Sequence, residues 1–463
     1  MISIIILVFV LGYLSITLEH PLGLDKTVPA LFMAALMWAL LAVGFHEGWL
    51  TLIDGHETTF KAINGVIDEH AEEGFTNLLL HHLGKTAEIL VFLIGAMTIV
   101  EIIDLHRGFE ILKGWVTTKS KTRLLWIIAV LAFFLSAVID NLTSTIVLVT
   151  LLRKLIPNKQ DRLWFAGLIV IAANAGGAWS PIGDVTTTML WIGKRTSALH
   201  LVERLFLPSL VNLIVPVTLA TLFIPAFKGK IKEVKISEEE KETENLLSSK
   251  TMLFLGIGMI LFVPVFKTVT HLPPYLGMML GLSVVWLVSE FIHPEEDFSK
   301  ERRHLYSAHK ALSRIEMSSI LFFLGILMAV AALESLVYGA VMVDGELTSV
   351  GTLRYLAEML NQTIPNQDIV ISILGVLSAI IDNVPLVAAS MGMYNAPMDA
   401  SVWHLIAYAA GTGGSMLIIG SAAGVAAMGM EKIDFIWYMK KISWLAVVGY
   451  VLGYILLLFM ESL

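Results

Sequence analysis

The chain has 463 residues, of which 56% are hydrophobic and only 15% charged. A soluble domain carries about 25% charged residues, so there is too little charge to coat a globular surface, and most of that surface must face lipid. The lack of cysteine excludes a disulfide scaffold, thiolate metal sites and cysteine nucleophiles. A net charge of −8, with Lys and Arg in short clusters, leaves no footprint for nucleic acid.

A transmembrane helix needs roughly 17–25 mostly apolar residues. In chain order the qualifying runs are Met1–Leu18, Val28–Phe45, Ala87–Ile103, Leu163–Gly183, Leu205–Phe227, Thr251–Phe266, Leu276–Phe291, Met317–Leu333, Ser401–Met430 and Ile442–Met460. The first has no basic start and no Ala-x-Ala cleavage site, and reads as a retained span rather than a signal peptide. Segments 124–152 and 369–398 have a different pattern. Each is two apolar arms around an acidic pair, Asp140-Asn141 and Asp382-Asn383. At 1.5 Å per residue an arm reaches about 20 Å, enough to enter the bilayer and return. Both are predicted to be re-entrant hairpins.

Lys and Arg favour cytoplasmic loops. Loops 106–123 and 153–162 are basic, so both ends of the first hairpin are expected inside. Segments 341–367 and 391–400 hold only Arg354 as a base, so the second hairpin is expected to open outside. Loops 228–250 and 294–316 read as internal, and 46–85 as external. Lys194, Arg195 and Arg204 fall on the expected outside and fit this scheme poorly.

An internal repeat accompanies the charge pattern. Residues 136–141 match 378–383 at five of six positions. Downstream lie Gly176-Gly177 through Gly183 in one half and Gly413-Gly414 through Gly420 in the other. Order and spacing agree while the charge orientation reverses, which is the inverted-repeat plan of secondary transporters. The expected layout is 1–86, N-terminal helices and an external loop; 87–227, the first repeat; 228–250, a cytoplasmic linker; and 251–463, the second repeat. Segments 163–190 and 401–430 are the expected broken helices. Gly, Ser and Pro inside a membrane helix free backbone groups that must line a cavity or bind something; close helix packing is the alternative. The duplication favours a site at Gly176 and Gly413.

A carboxylate near the bilayer centre costs several kcal/mol unless it is paired, protonated or bound to a cation. Asp140 and Asp382 fall at the hairpin tips. Asn141 and Asn383 add carbonyl oxygens, and Ser136, Thr143, Ser378 and Ser415 could add hydroxyls. Oxygen donors without His or Cys suit hard cations, so a cation or proton site is expected there; helix capping is the plainer role of each Asp. Asn174 and Asp184 flank the first glycine pair, where the second half has Ala410 or Gly411 and Ser421 or Ala422. The first half is therefore the more acidic. Glu88, Glu101, Asp104 and Glu334 lie in or beside other spans, with Glu88 the strongest functional candidate among them. His81 and His82 are placed just outside its span, either as a pH-sensing pair or as exposed histidines without a specific role.

The stretches Ala137–Thr145, Gly176–Asp184 and Ala379–Pro385 resemble the NhaD-type sodium/proton antiporters of bacteria. That family lies in the ion transporter superfamily with dicarboxylate/sodium symporters and arsenite pumps. The resemblance runs from about Ala87 to the C-terminus. It implies an all-α polytopic membrane protein of about eleven spans, an inverted repeat with two re-entrant hairpins and two broken helices. It also implies a transport domain moving against a scaffold, a homodimer, and a place in the bacterial inner membrane. The residues carried over are Asp140, Asn141, Thr143, Asn174, Asp184, Ser378, Asp382, Asn383 and Ser415, with Glu88 beside them. Na⁺ is expected at Asp140, Asn141, Asp382 and Asn383. The expected activity is exchange of Na⁺ or Li⁺ for H⁺, without enzymatic chemistry or a cofactor, with small cations and the lipid bilayer as partners and no nucleic acid. A cation-coupled carboxylate carrier is the competing reading, although dicarboxylate members carry Ser-Asn-Thr at the tips where this chain has Asp-Asn-Leu and Asp-Asn-Val. An intramembrane aspartyl protease is a third. Gly183-Asp184 resembles part of its Gly-x-Gly-Asp motif, but position 181 is Pro and no Tyr-Asp partner is present.

Overall fold

The computed structural model describes the whole chain except residues 55–57, 62–68, 117, 232–246, 293–307, 344–345, 365 and 381. Most of the expected linker 228–250, and the larger part of loop 294–316, thus lie outside the described residues. In chain order the principal helices begin with α1 (Ile2–Thr17), α2 (Thr27–His46), α3 (Glu69–Leu105), α4 (Lys121–Ile139), α5 (Asn141–Leu155) and α6 (Lys159–Ala178). They continue with α7 (Val185–Ile192), α8 (Ala198–Phe223), α9 (Leu247–Thr270), α10 (Pro274–Phe291), α11 (Met317–Ser335) and α12 (Thr352–Thr363). The last six are α13 (Gln367–Leu377), α14 (Asn383–Met393), α15 (Ser401–Gly413), α16 (Ala422–Glu431), α17 (Phe435–Lys441) and α18 (Ser443–Glu461).

The apolar runs of the sequence are helical over most of their described length. Among the described residues, eight helices are long and apolar enough to cross a membrane. Two runs are interrupted where the glycine pairs predicted: between α6 and α7, and between α15 and α16. Three features differ from expectation. Helix α3 has 37 residues where about half that length was expected, because its polar first half continues the helix with strong helix formers such as Glu and Leu. Helix α4 has 19 residues and is itself long enough to cross, whereas α13 and α14, with 11 each, are short arms. Segment 337–351, expected as part of a loop, is an antiparallel hairpin; its β-branched and aromatic positions favour strand. Its strands Val337–Val343 and Glu346–Gly351 pair in register from Val343 opposite Glu346 to Val337 opposite Gly351, with one irregularity at Val337/Gly339.

The chain forms two compact units of discontinuous segments. The first holds Met1–Leu90, Glu316–Ile373 and Val384–Pro397. Its core is α2 packed on α11: Trp38 Nε1 donates to Met328 O at 2.9 Å, and Thr27 Oγ1 to Ser318 O at 3.0 Å. The second holds Val91–Ile315, Leu374–Asn383 and Met398–Leu463. There α4, α5 and α16 surround α6, while α8 and α18 pack together against α15. Two ion pairs converge on the buried Glu431 of this unit. Glu431 accepts from Arg153 Nε at 2.8 Å and Arg162 Nε at 3.0 Å, which joins α5, α6 and α16.

Candidate functional site

Asp140 stands between α4 and α5 with φ 88° and ψ 160°, a backbone region that is essentially reserved for glycine. Its carboxylate repays part of that strain by capping α5: Oδ1 accepts from Thr143 N at 2.8 Å, and Oδ2 from Thr143 Oγ1 at 2.9 Å. The next residue, Asn141, turns inward and is 7% exposed. Its Nδ2 donates to Asn174 Oδ1 at 3.0 Å and to Asp184 Oδ2 at 2.6 Å.

Asp184 is the hub of the site. It follows the break after α6, is 2% exposed and caps α7. Its Oδ1 accepts from Thr186 N at 2.8 Å and Thr186 Oγ1 at 2.7 Å. Its Oδ2 takes Asn141 and, at 3.4 Å, Asn383 Nδ2 from the start of α14. Asn174 completes the chain by donating to Ser421 Oγ at 2.9 Å. Ser421 caps α16 with φ −146° and ψ 153°, nearly the backbone of Asp184 at φ −146° and ψ 146°. The two breaks thus have matching caps, one charged and one neutral. Asp184 also interacts electrostatically with both Asp140 and Asp382.

The repeated motifs make repeated contacts. Ser136 Oγ donates to Ala173 O at 2.6 Å, and Ser378 Oγ to Ala410 O at 3.1 Å. A Cβ on Gly176 would strike Phe133 O, and one on Gly413 would strike Gly375 O, each three residues before the repeated Ser. A Cβ on Gly183 would lie 2.7 Å from Ser136 O, and one on Gly420 2.7 Å from Ser378 O. No side chain fits at these crossings, which explains the glycines without any ligand. Gly176 and Gly413 are therefore placed where α6 crosses α4 and where α15 crosses α13. The hydroxyls of Ser136 and Ser378 tie α4 to α6 and the segment after α13 to α15, while Ser415 Oγ, just past the end of α15, donates back to Thr412 O at 2.7 Å. Tyr438, fully buried on α17, donates to Ser415 O at 2.9 Å and so satisfies one carbonyl freed by the second break.

The structure therefore brings together Asn141, Asn174, Asp184 and Asn383, with Asp140 and Asp382 beside them. Thr186 and Ser421 complete the cluster. Neither was singled out as a donor, although Asp-x-Thr after a break is a readable capping pattern. Among the described residues no three carboxylates or imidazoles gather closely enough to cage a metal ion. A cation here would have to draw on amide, hydroxyl and backbone oxygens as well as carboxylate. Glu88, His81 and His82 belong to the other compact unit. Glu88 is half-buried and His81 exposed. His82, expected to be exposed outside the span, is instead buried within α3; its Nε2 lies 3.1 Å from Ser335 Oγ and its ring beside Trp38. The longer α3 carries it into the packed interior. Glu101 and Asp104 are structural, holding Arg314 at 3.0 and 2.7 Å.

Eight long apolar helices and two broken helices that meet in a buried polar cluster define a multi-pass membrane protein built as a transporter. Residues 6–406 match the family model described as citrate transporter, CitMHS. Sodium/proton antiporter 1 of Arabidopsis thaliana is 43% identical over 96% of this chain and 70% of its own length, and sodium/proton antiporter 2 of the same plant is 42% identical over 96% and 97%. The Na⁺/H⁺ antiporter NhaD of Vibrio cholerae is 33% identical over 97% and 90%. The chain belongs to the CitMHS family and to the NhaD-type antiporters.

Proposed function

We propose that the protein exchanges Na⁺, with Li⁺ also accepted, for H⁺ across its membrane. The observation that carries this reading is the Asp184 cluster: a buried carboxylate met by the amides of both hairpin tips, Asn141 and Asn383, with Asp140 and Asp382 beside it. Neutral amides satisfy Asp184 in this packing. Rotating them would present carbonyl oxygens to a dehydrated cation, with the Asp carboxylates as counter-charge. Protons and cation would compete for the same carboxylates. Either occupant neutralises the site and lowers the cost of carrying it past lipid, whereas the empty, charged site stays put. That rule couples the two fluxes.

The matched contacts of Ser136 with Ser378, and of Gly176 with Gly413, support an inverted repeat of two re-entrant hairpins and two broken helices, about eleven spans in all. A homodimer in the bacterial inner membrane is the proposed setting; the Vibrio cholerae relative supports a bacterial membrane, and the Arabidopsis relatives make a plant membrane the competitor. The family model's description favours a second reading, cation-coupled citrate or related carboxylate uptake, against which stand the acidic hairpin tips. The experiment is dequenching of a pH-sensitive dye in everted vesicles on adding Na⁺, Li⁺ or K⁺, beside uptake of citrate and succinate. Dequenching by Na⁺ and Li⁺ without carboxylate uptake is expected. Sodium-dependent citrate uptake without proton movement would replace the antiport reading by the carboxylate one.

A further inference from the structure

One end of the second unit carries a group of charges that the cation site does not use. The bases that fitted the orientation scheme poorly lie here. Arg195 stacks on Trp403, with its guanidinium carbon 4.9 Å from the ring centroid, and Arg204 Nη1 donates to Met460 O at 2.9 Å. Asp399, with φ 64°, takes Ser197 N at 2.6 Å and Thr196 Oγ1 at 3.2 Å, and lies 3.6 Å from His200 Nδ1. Arg195 and Arg204 are thus held by an aromatic and a carbonyl partner, and their position does not depend on membrane orientation alone.

Within this group lies a buried acid–base pair. His404, in the first turn of α15, is 1% exposed, and its Nδ1 is 2.9 Å from Oε1 of Glu461 in the last turn of α18, itself 13% exposed. The other ring nitrogen, Nε2, is buried with no hydrogen-bond partner among the described residues. Glu461 faces the ring from α18, Arg204 from α8, and Asp399 from the segment before α15; α7 carries no charged residue. Asp399 is already committed to Thr196, Ser197 and His200. A neutral imidazole with its proton on Nδ1 satisfies Glu461. A second proton, on Nε2, finds no acceptor among the described residues, and the Arg204 charge acts on the same ring. Its arrival therefore favours a packing in which α15 shifts relative to α18 and α8 and Nε2 gains an acceptor. Nine residues further along α15, about 14 Å at 1.5 Å per residue, lies Gly413 and the second break.

We propose that the His404–Glu461 pair is a proton-binding site in its own right, separate from the Asp184 cluster, which sets the mobility of α15 and hence the transport rate without competing for the cation. The rate effect rests on the antiport reading; the proton site itself does not. The test uses vesicles and purified full-length protein bearing His404→Asn, which keeps a donor at the Nδ1 position without titrating, and Glu461→Gln. At saturating Na⁺, wild-type rate is expected to fall as pH drops through the histidine range. Where it has fallen about tenfold, both variants should retain at least about threefold more of their alkaline rate, with apparent KM for Na⁺ following wild type at every pH. Rate profiles of unchanged shape in both variants would overturn the proposal. If wild-type vesicles exchange no Na⁺ for H⁺, the antiport reading fails and thermal unfolding of the purified proteins decides the site. The gap in unfolding temperature between wild type and each variant should change across about pH 5–8. A constant gap for both variants refutes the proton site. If His404→Asn does not fold, Glu461→Gln alone gives the same two readouts.

Discussion

Asp184→Ser separates two duties that one side chain holds. Serine caps helices about as well as aspartate, and Ser421 already does so at the start of α16 with almost the same backbone angles. Helix α7 should therefore keep its cap. What is lost is the charge and the acceptor for Asn141 at 2.6 Å and Asn383 at 3.4 Å. For a cation about 4 Å away in an effective dielectric of about 20, one unit charge is worth about 4 kcal/mol. At about 1.4 kcal/mol per factor of ten, that is roughly a thousandfold in affinity. Asn141 keeps its bond to Asn174, but its second N–H loses its acceptor, which costs about 1–3 kcal/mol of stability on top. Sodium titration of vesicle exchange should show no saturable signal, while purified protein unfolds cooperatively at a modestly lower temperature. An apparent KM within about threefold of wild type would refute Asp184 as a cation-site carboxylate and leave it as a cap.

Asp140→Asn and Asp382→Asn each remove one titratable group and should abolish Na⁺-dependent proton movement while the protein still inserts, since a neutral tip is easier to bury; wild-type dequenching in either would unseat that residue. Gly176→Val and Gly413→Val would drive side chains into the Phe133 and Gly375 carbonyls. Each should cost about 1–3 kcal/mol of stability and stop transport, and normal transport by both would show that these crossings tolerate separation. With no native cysteine, one introduced at position 395 should react only with an external, membrane-impermeant maleimide; reaction only from the cytoplasm would refute the inverted arrangement.

The parts legible in the sequence are those fixed by local pattern. Apolar runs became helices because the bilayer leaves the backbone no other partner. Repeated Gly-Gly marked the breaks because the pair recurs in the same order after each Asp-Asn. The illegible parts depend on tertiary partners. Asp184 read as a residue flanking a glycine motif, and only the fold brings Asn141, from the start of α5, and Asn383, from the start of α14, onto the same carboxylate oxygen. Ser378 read as a ligand hydroxyl because sequence cannot show that Ala410 O lies within its reach. His82 read as exposed because the polar start of α3 hides the helix that buries it. Arg195 and Arg204 fit the charge rule poorly, because it counts bases without seeing the Trp403 ring and the Met460 carbonyl that hold them.

Competition between Na⁺ and H⁺ for one set of carboxylates is tested most directly by titrating Na⁺ against vesicle antiport at several pH values. One-for-one competition requires apparent KM to rise about tenfold per pH unit below the effective pKa of the coupled carboxylates, a value that belongs to the group rather than to any one Asp. Apparent KM rising in that way as pH falls is the predicted result; an apparent KM independent of pH, with only the maximal rate changing, would contradict it.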